Sequence, residues 1–170
     1  MANNTRLESN LHVVGRITAE TMTIPASTIV DAGVSSDAAI AASKLIHRFP
    51  VTYAQNESAV VSDAVQGIHV AAGAGTITAI EVVCTSSAPV GDSTVTVDLL
   101  RSTAGGAYAT VLSSVVTVDN STTVRTIEPG TINTSDYIDG DSFTLDVNAT
   151  VGTGTLPTGL LVTVFFEESP

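Results

Sequence analysis

Tryptophan is absent from this sequence, cysteine occurs once, and there are only four phenylalanines and three tyrosines in 170 residues. A single cysteine, Cys84, excludes an intrachain disulfide and a cysteine-based metal site. Without tryptophan, and with Tyr53, Tyr108 and Tyr137 far apart in the chain, the flat aromatic platform of sugar-binding modules is not indicated. We expect these tyrosines at strand ends with their hydroxyls in water.

Long apolar runs are also missing. No segment approaches the roughly 20 residues needed to cross a bilayer. The start of the sequence, residues 1–6, has no apolar core of the kind that secretion signals contain. These features favour a protein that is made in a cytosol, or assembled there into something larger.

Basic residues are scarce and unevenly placed. The net charge is −11. Residues 1–50 are neutral overall, with four basic and four acidic side chains, whereas residues 51–170 carry two arginines against thirteen acidic residues. An acidic surface repels phosphate backbones and anionic lipids, so nucleic acid and membranes are not expected partners. The neutral leading segment is the better candidate for docking onto another protein.

Threonine, valine, alanine, serine and glycine dominate the composition, and small or β-branched side chains favour strands. We predict strands near residues 51–55, 66–72, 76–85, 93–102, 108–118, 122–132, 141–151 and 159–168. About eight antiparallel strands in this length indicate an all-β fold, an antiparallel β-sandwich of jelly-roll type. An immunoglobulin-like sandwich is the alternative, but its core tryptophan and cysteine pair are lacking.

Strict alternation of apolar and polar residues is clearest over 143–151 and 94–99, as expected for a sheet with one face on a core. The last strand differs, because Leu160, Leu161, Val162, Val164, Phe165 and Phe166 would be apolar on both faces. It is therefore predicted to lie centrally in the sandwich or in a subunit interface. Phe165 and Phe166 are the candidates for core or trimer-interface positions.

The first fifty residues have a different pattern from the rest. Residues 1–35 predict an extended arm, because apolar residues are dotted among glycine, proline and threonine and cannot bury each other within one chain. Residues 36–50 predict a short helix and a linker, with Asp37 near the helix start and Pro50 closing the segment. A helix this short needs docking, and its docking side chains would be Ile40, Leu45 and Ile46. The β-sandwich head then occupies 51–170.

No catalytic, metal or cofactor site is indicated. His12, His47 and His69 lack metal-motif spacing, and His69 is expected to make one hydrogen bond in or beside the sheet. Cys84 lies among apolar residues and is expected to be a buried, inert thiol. The acidic group Asp136, Asp139, Asp141 and Asp146 could suit calcium, but its spacing does not match an EF-hand. We therefore expect no enzyme and no cofactor.

Several short segments resemble a known family. They are 21–29, 31–34 and 40–47 in the leading region, and 75–80, 94–100, 137–141 and 154–160 in the β region. Together they resemble the capsid decoration proteins of tailed bacteriophages, also called head cement or head-fibre proteins. The likeness runs from about residue 20 to the end, and it consists of short matches without a catalytic signature.

This resemblance implies a homotrimer on the outer capsid surface of a virion, where it bridges neighbouring major capsid subunits. It implies two partners, the major capsid protein and further copies of the chain. The arm would lie on the capsid or contact other arms, through Leu11, Val13, Val14, Ile17, Met22 and Ile24. The alternative is a trimeric tail-fibre or receptor-binding tip that grips a host glycan. The arm is longer than a minimal cement protein needs, so part of it would suit an intertwined stem.

Overall fold

The structure is a computed structural model that describes residues 47–169 of the chain. Every regular element in this range is a β-strand. The ten strands are β1 (His47–Ala54), β2 (Ala64–Val70), β3 (Ala74–Ser87), β4 (Thr94–Ser102), β5 (Tyr108–Thr110), β6 (Val116–Val118), β7 (Glu128–Pro129), β8 (Asp136–Tyr137), β9 (Ser142–Thr150) and β10 (Thr158–Ser169).

The strands form two five-stranded sheets. Sheet 1 has the order β1, β10, β3, β7, and β8 also pairs with β3; sheet 2 has the order β2, β9, β4, β5, and β6 also pairs with β4. Every strand pair is antiparallel. The prediction of an all-β fold with antiparallel sheets packed as a β-sandwich is thus confirmed.

The core lies between the sheets and is supplied by alternate residues of the long strands. In sheet 2 the alternation predicted for β4 and β9 buries Val95, Val97 and Leu99, and also Phe143, Leu145 and Val147. Sheet 1 contributes Ile80, Val82 and Cys84 from β3, and Leu160, Val162, Val164 and Phe166 from β10. Because a strand points successive side chains to opposite faces, the residues between these lie on the outer faces of the sandwich.

β10 is a central strand, with β1 on one side and β3 on the other. This confirms the first of the two positions predicted from its apolar residues. Phe166 is 1 % exposed and lies in the core, whereas its neighbour Phe165 is half-buried on the outer face of sheet 1.

The start of β1 differs from the prediction. The strand begins at His47 and runs through Pro50, where the sequence indicated a linker. β1 is an edge strand of sheet 1. Proline is tolerated at a sheet edge, where a missing N–H need not interrupt a ladder. The residue predicted to end the preceding segment is therefore part of the first strand.

Two long predicted strands are broken. The one predicted over 108–118 divides into β5 and β6, because the Ser113 N–H bonds to Thr131 O instead of continuing the ladder with β4. Of the strand predicted over 122–132 only β7 forms. Arg125 has a φ of 64°, a left-handed conformation that extended strands do not contain. β8, at 136–137, is a strand that the sequence did not indicate.

The predicted arm over 1–35 lies outside the described residues, and so does the short helix predicted in the first part of 36–50. The same holds for the side chains assigned to them, which are Leu11, Val13, Val14, Ile17, Met22, Ile24, Ile40, Leu45 and Ile46. Among residues 47–169, no helix is long and apolar enough to cross a membrane.

Candidate interaction surface

The outer face of sheet 1 is unusually apolar for a face that points away from the core. Strand register places three rows of outward residues side by side across β1, β10 and β3. One row is Pro50, Phe165 and Ala79; the next is Thr52, Thr163 and Glu81; the third is Ala54, Leu161 and Val83. Glu81 is the one charged side chain in these rows.

A shallow groove crosses this face. Its volume is about 470 Å³, and it is lined by Arg48, Phe49, Pro50, Thr78, Ala79, Glu81, Phe165 and Phe166. The groove coincides with an irregularity in the pairing of β10 with β3, between Phe165 and Phe166. The hydroxyl of Thr78 donates to the Phe165 carbonyl oxygen over 3.2 Å at the same place. The groove thus lies at the register shift, beside the largest outward side chain.

The outer face of sheet 2 has the opposite character. Its central pairs are Asp98 with Asp146, Thr96 with Asn148 and Thr94 with Thr150. The Asp98 carboxylate accepts a 2.6 Å hydrogen bond from the Thr110 hydroxyl. An antiparallel sheet that faces water on one side is polar on that side, and the central pairs of β4 and β9 follow this pattern. The edge strand β2 departs from it, because Val65 and Val70 are 74 % and 65 % exposed. In sheet 1 even the central strand β10 carries apolar outward side chains, Leu161 and Phe165, which marks the outer face of this sheet as the candidate interaction surface.

Rings gather at one end of the sandwich, beside the start of β1 and the end of β10. Phe166 is central to the group, with ring centroids 4.6 Å from His69, 5.1 Å from Phe143, 5.7 Å from Phe49 and 5.8 Å from Tyr137. These five side chains come from five strands of both sheets. The cluster therefore fixes the end of the sandwich at which the described chain begins and finishes.

Arg48 and Glu167 form an ion pair of 2.7 Å at this end, across β1 and β10.

The prediction that the three tyrosines keep their hydroxyls in water is wrong for Tyr137, which is 3 % exposed. Its hydroxyl donates to the Glu167 carbonyl oxygen over 3.3 Å. Burial, together with the charges of Glu168 and Glu167, raises the pKa of Tyr137 to about 12.

His69 does not make the predicted hydrogen bond through Nε2. That nitrogen is buried without a partner, 3.6 Å from Glu168 Oε1, a distance too long for a hydrogen bond. Glu168 Oε1 instead accepts from the Ala72 N–H. The ring packs tilted against Phe166 and stacked with Phe143, which is the role of a core side chain.

The four aspartates whose sequence pattern suggested a calcium site lie in different environments. Asp141 is buried and lies 3.8 Å from Arg101 Nε, while Asp136 and Asp139 are exposed and Asp146 lies on the outer face of sheet 2. Within the described part of the chain, no three histidine, cysteine, aspartate or glutamate side chains are grouped so as to hold a metal ion. These four aspartates do not form one site.

Cys84 is 0 % exposed and belongs to the core, as predicted. Burial raises the pKa of its thiol to about 11. The thiolate is the reactive form, so this side chain is inert at neutral pH.

Sequence reasoning found Phe165 but not its surroundings. The apolar pattern of β10 on both faces identified the strand, and the structure separates its two phenylalanines into one core and one surface residue. Pro50 and Ala79 were missed, because their position beside Phe165 depends on strand register. The sequence feature that indicated an apolar surface here was Phe165 itself, an apolar residue at an outward position of the central strand β10.

Comparisons with protein-family models, curated proteins and solved structures gave no match. The surface properties described above and the resemblance noted in the sequence are therefore the basis for a functional proposal.

Proposed function

We propose that the chain is a viral structural protein that decorates and stabilises the outer surface of a phage capsid by bridging neighbouring major capsid subunits. The observation that carries this proposal is the contrast between the two outer faces of the sandwich. Central strand β10 presents Leu161 and Phe165 outward, whereas central strand β9 presents Asp146 and Asn148. A module with one apolar and one acidic face suits a role between protein neighbours and water.

The strand order supports a jelly roll as the form of the sandwich. β7 and β8 both pair with β3, so together they occupy one strand position in sheet 1. β5 and β6 both pair with β4, so together they occupy one strand position in sheet 2. The sheets then run β1, β10, β3, β7/β8 and β2, β9, β4, β5/β6. Successive strands alternate between the sheets up to β4, and the last strand lies beside the first. This order supports a jelly roll, an architecture common in viral capsid proteins.

The mechanism in this proposal is mechanical, without catalysis or a cofactor. The neutral leading segment would contact the major capsid protein through the six apolar residues from Leu11 to Ile24 named above, and the acidic head would project outward. A trimer that binds several capsid subunits at once gains avidity from many modest contacts. The acidic head also gives phosphate backbones and anionic lipids no attraction.

Cryo-electron microscopy of virions produced by the genome that encodes this chain tests the proposal. We expect density for the sandwich in many copies on the outer shell, above the junctions between capsid subunits. Virions made without the gene provide the control and should lose only that density. Density confined to the end of a tail would instead support the receptor-binding alternative and contradict decoration.

A further inference from the structure

The outer face of sheet 1 is uncovered among the described residues, although it carries the most apolar outward row of the sandwich. Phe165 and Leu161 are half-buried, and Pro50 beside Phe165 is exposed. Exposed apolar surface on a sheet costs free energy in water and is typical of protein contacts.

We propose that this face is the surface through which copies of the chain meet, with three β10 strands around a shared axis. The inference rests on the homotrimer of the proposed function and adds the contact surface to it. Phe165 and Leu161 would lie nearest the axis, with Thr163 between them. The groove beside Phe165 would receive an apolar side chain of the neighbouring copy.

Charge favours this face for contact between identical chains. Residues 51–170 contain thirteen acidic side chains and two arginines, so copies repel each other over most of the head. The three outward rows of sheet 1 contain one carboxylate, Glu81, and the charge of Glu167 at the rim is paired with Arg48. The outer face of sheet 2 would instead bring Asp98 and Asp146 of each copy together.

The area of this face predicts a weak trimer whose stability depends on protein concentration. An outward residue on a sheet covers about 33 Å², from the strand spacing and the two-residue repeat. The nine residues of the three rows therefore cover about 300 Å² per copy, and three copies bury about 900 Å². That total is divided among three pairwise contacts and lies below the roughly 1,200–2,000 Å² of a specific, stable interface, so we expect self-association only at high protein concentration.

Cysteine cross-linking of the full chain tests the arrangement. Thr163→Cys places a thiol at the centre of the proposed interface, and Thr96→Cys places one at the matching half-buried position on sheet 2. The native Cys84 is buried, so it contributes no background. A short bis-maleimide should link T163C into covalent dimers and leave T96C monomeric. The reverse pattern, or no link in either variant, would overturn the inference.

Sedimentation equilibrium provides a second measurement. Phe165→Thr should weaken self-association at least tenfold, whereas Val65→Thr, at a 74 % exposed position on the edge of sheet 2, should leave it unchanged. Circular dichroism and thermal unfolding establish that both variants are folded. A wild-type chain that stays monomeric, or an F165T chain that associates like wild type, contradicts the proposed contact.

Particle binding separates this inference from the proposed function. A wild-type chain that binds virions as a monomer would refute the contact surface and leave decoration standing. A trimer that F165T dissociates, but that never binds virions, would support the contact surface and refute decoration.

Discussion

Asp98 and Asp146 lie directly opposite each other on neighbouring strands of sheet 2, and both point to its outer face. Each is held by a separate polar neighbour. The Thr110 hydroxyl donates to Asp98, and the Asn148 amide donates to Asp146 Oδ1 over 3.1 Å. Like charges in this position repel across the ladder. The acidic character of this face is thus retained at a cost in stability.

Asp146→Asn should therefore raise the free energy of unfolding by about 0.2–1 kcal/mol at low salt. The asparagine oxygen still accepts from Asn148, so only the charge is lost. The gain should shrink at high salt, where repulsion is screened. Urea unfolding at two ionic strengths measures the gain in the free energy of unfolding and its dependence on salt. Glu57→Gln, at an exposed loop position, controls for net charge; an equal gain there would show that local repulsion is not the cause.

Phe165 and Phe166 are adjacent in sequence but should differ sharply in their effect on folding. Phe166→Ala removes the ring that contacts four others and should cost about 3–5 kcal/mol. Phe165→Ala removes an outward ring and should cost about 1 kcal/mol or less in dilute monomer. Urea unfolding of both variants at low protein concentration compares them. Similar losses would mean that the outward ring supports the fold as strongly as the core ring.

Local pattern was sufficient to predict the sandwich, because alternation at β4 and β9 records directly which face is buried. It was insufficient where strand pairing decides the outcome. The sequence predicted that Pro50 ends the helix and linker over 36–50. Pro50 instead lies inside β1, because an edge strand tolerates proline. The left-handed Arg125 interrupts a predicted strand, and no residue type signals that conformation as glycine would.

The candidate surface was predictable only in part for a similar reason. Phe165 was visible as an apolar residue out of phase with the core positions of β10. Its neighbours Pro50 and Ala79 are 115 and 86 residues away along the chain, and only the registers of β1 and β3 with β10 bring them beside it. The contrast with sheet 2 likewise requires knowing which strands share a sheet.

Cys84 should make stability fall as the solution becomes alkaline. Burial raises the pKa of its thiol from 9.0 to about 11, so the native chain keeps the proton that the unfolded chain loses. Between those two values the unfolded state binds fewer protons, and stability decreases with pH. Cys84→Ala should lessen this decrease. Urea unfolding at about pH 8, 9, 10 and 11 measures the free energy of unfolding of both chains. An identical slope in C84A would show that the thiol does not contribute.

Deleting residues 1–35 should leave the sandwich folded but abolish binding to virions. The buried core residues that the structure describes lie between Val61 and Phe166, and β1 is paired with β10 along its whole length, so we expect the sandwich to form without the deleted residues. In the proposed function, however, those residues carry the capsid contacts. Co-sedimentation with virions measures binding, and circular dichroism with urea unfolding measures the fold.

Phe165→Thr in the full chain is the matched control, because it leaves residues 1–35 in place. This variant should retain some binding to virions, with reduced avidity. Undiminished co-sedimentation of the truncated chain would show that the head itself holds the capsid.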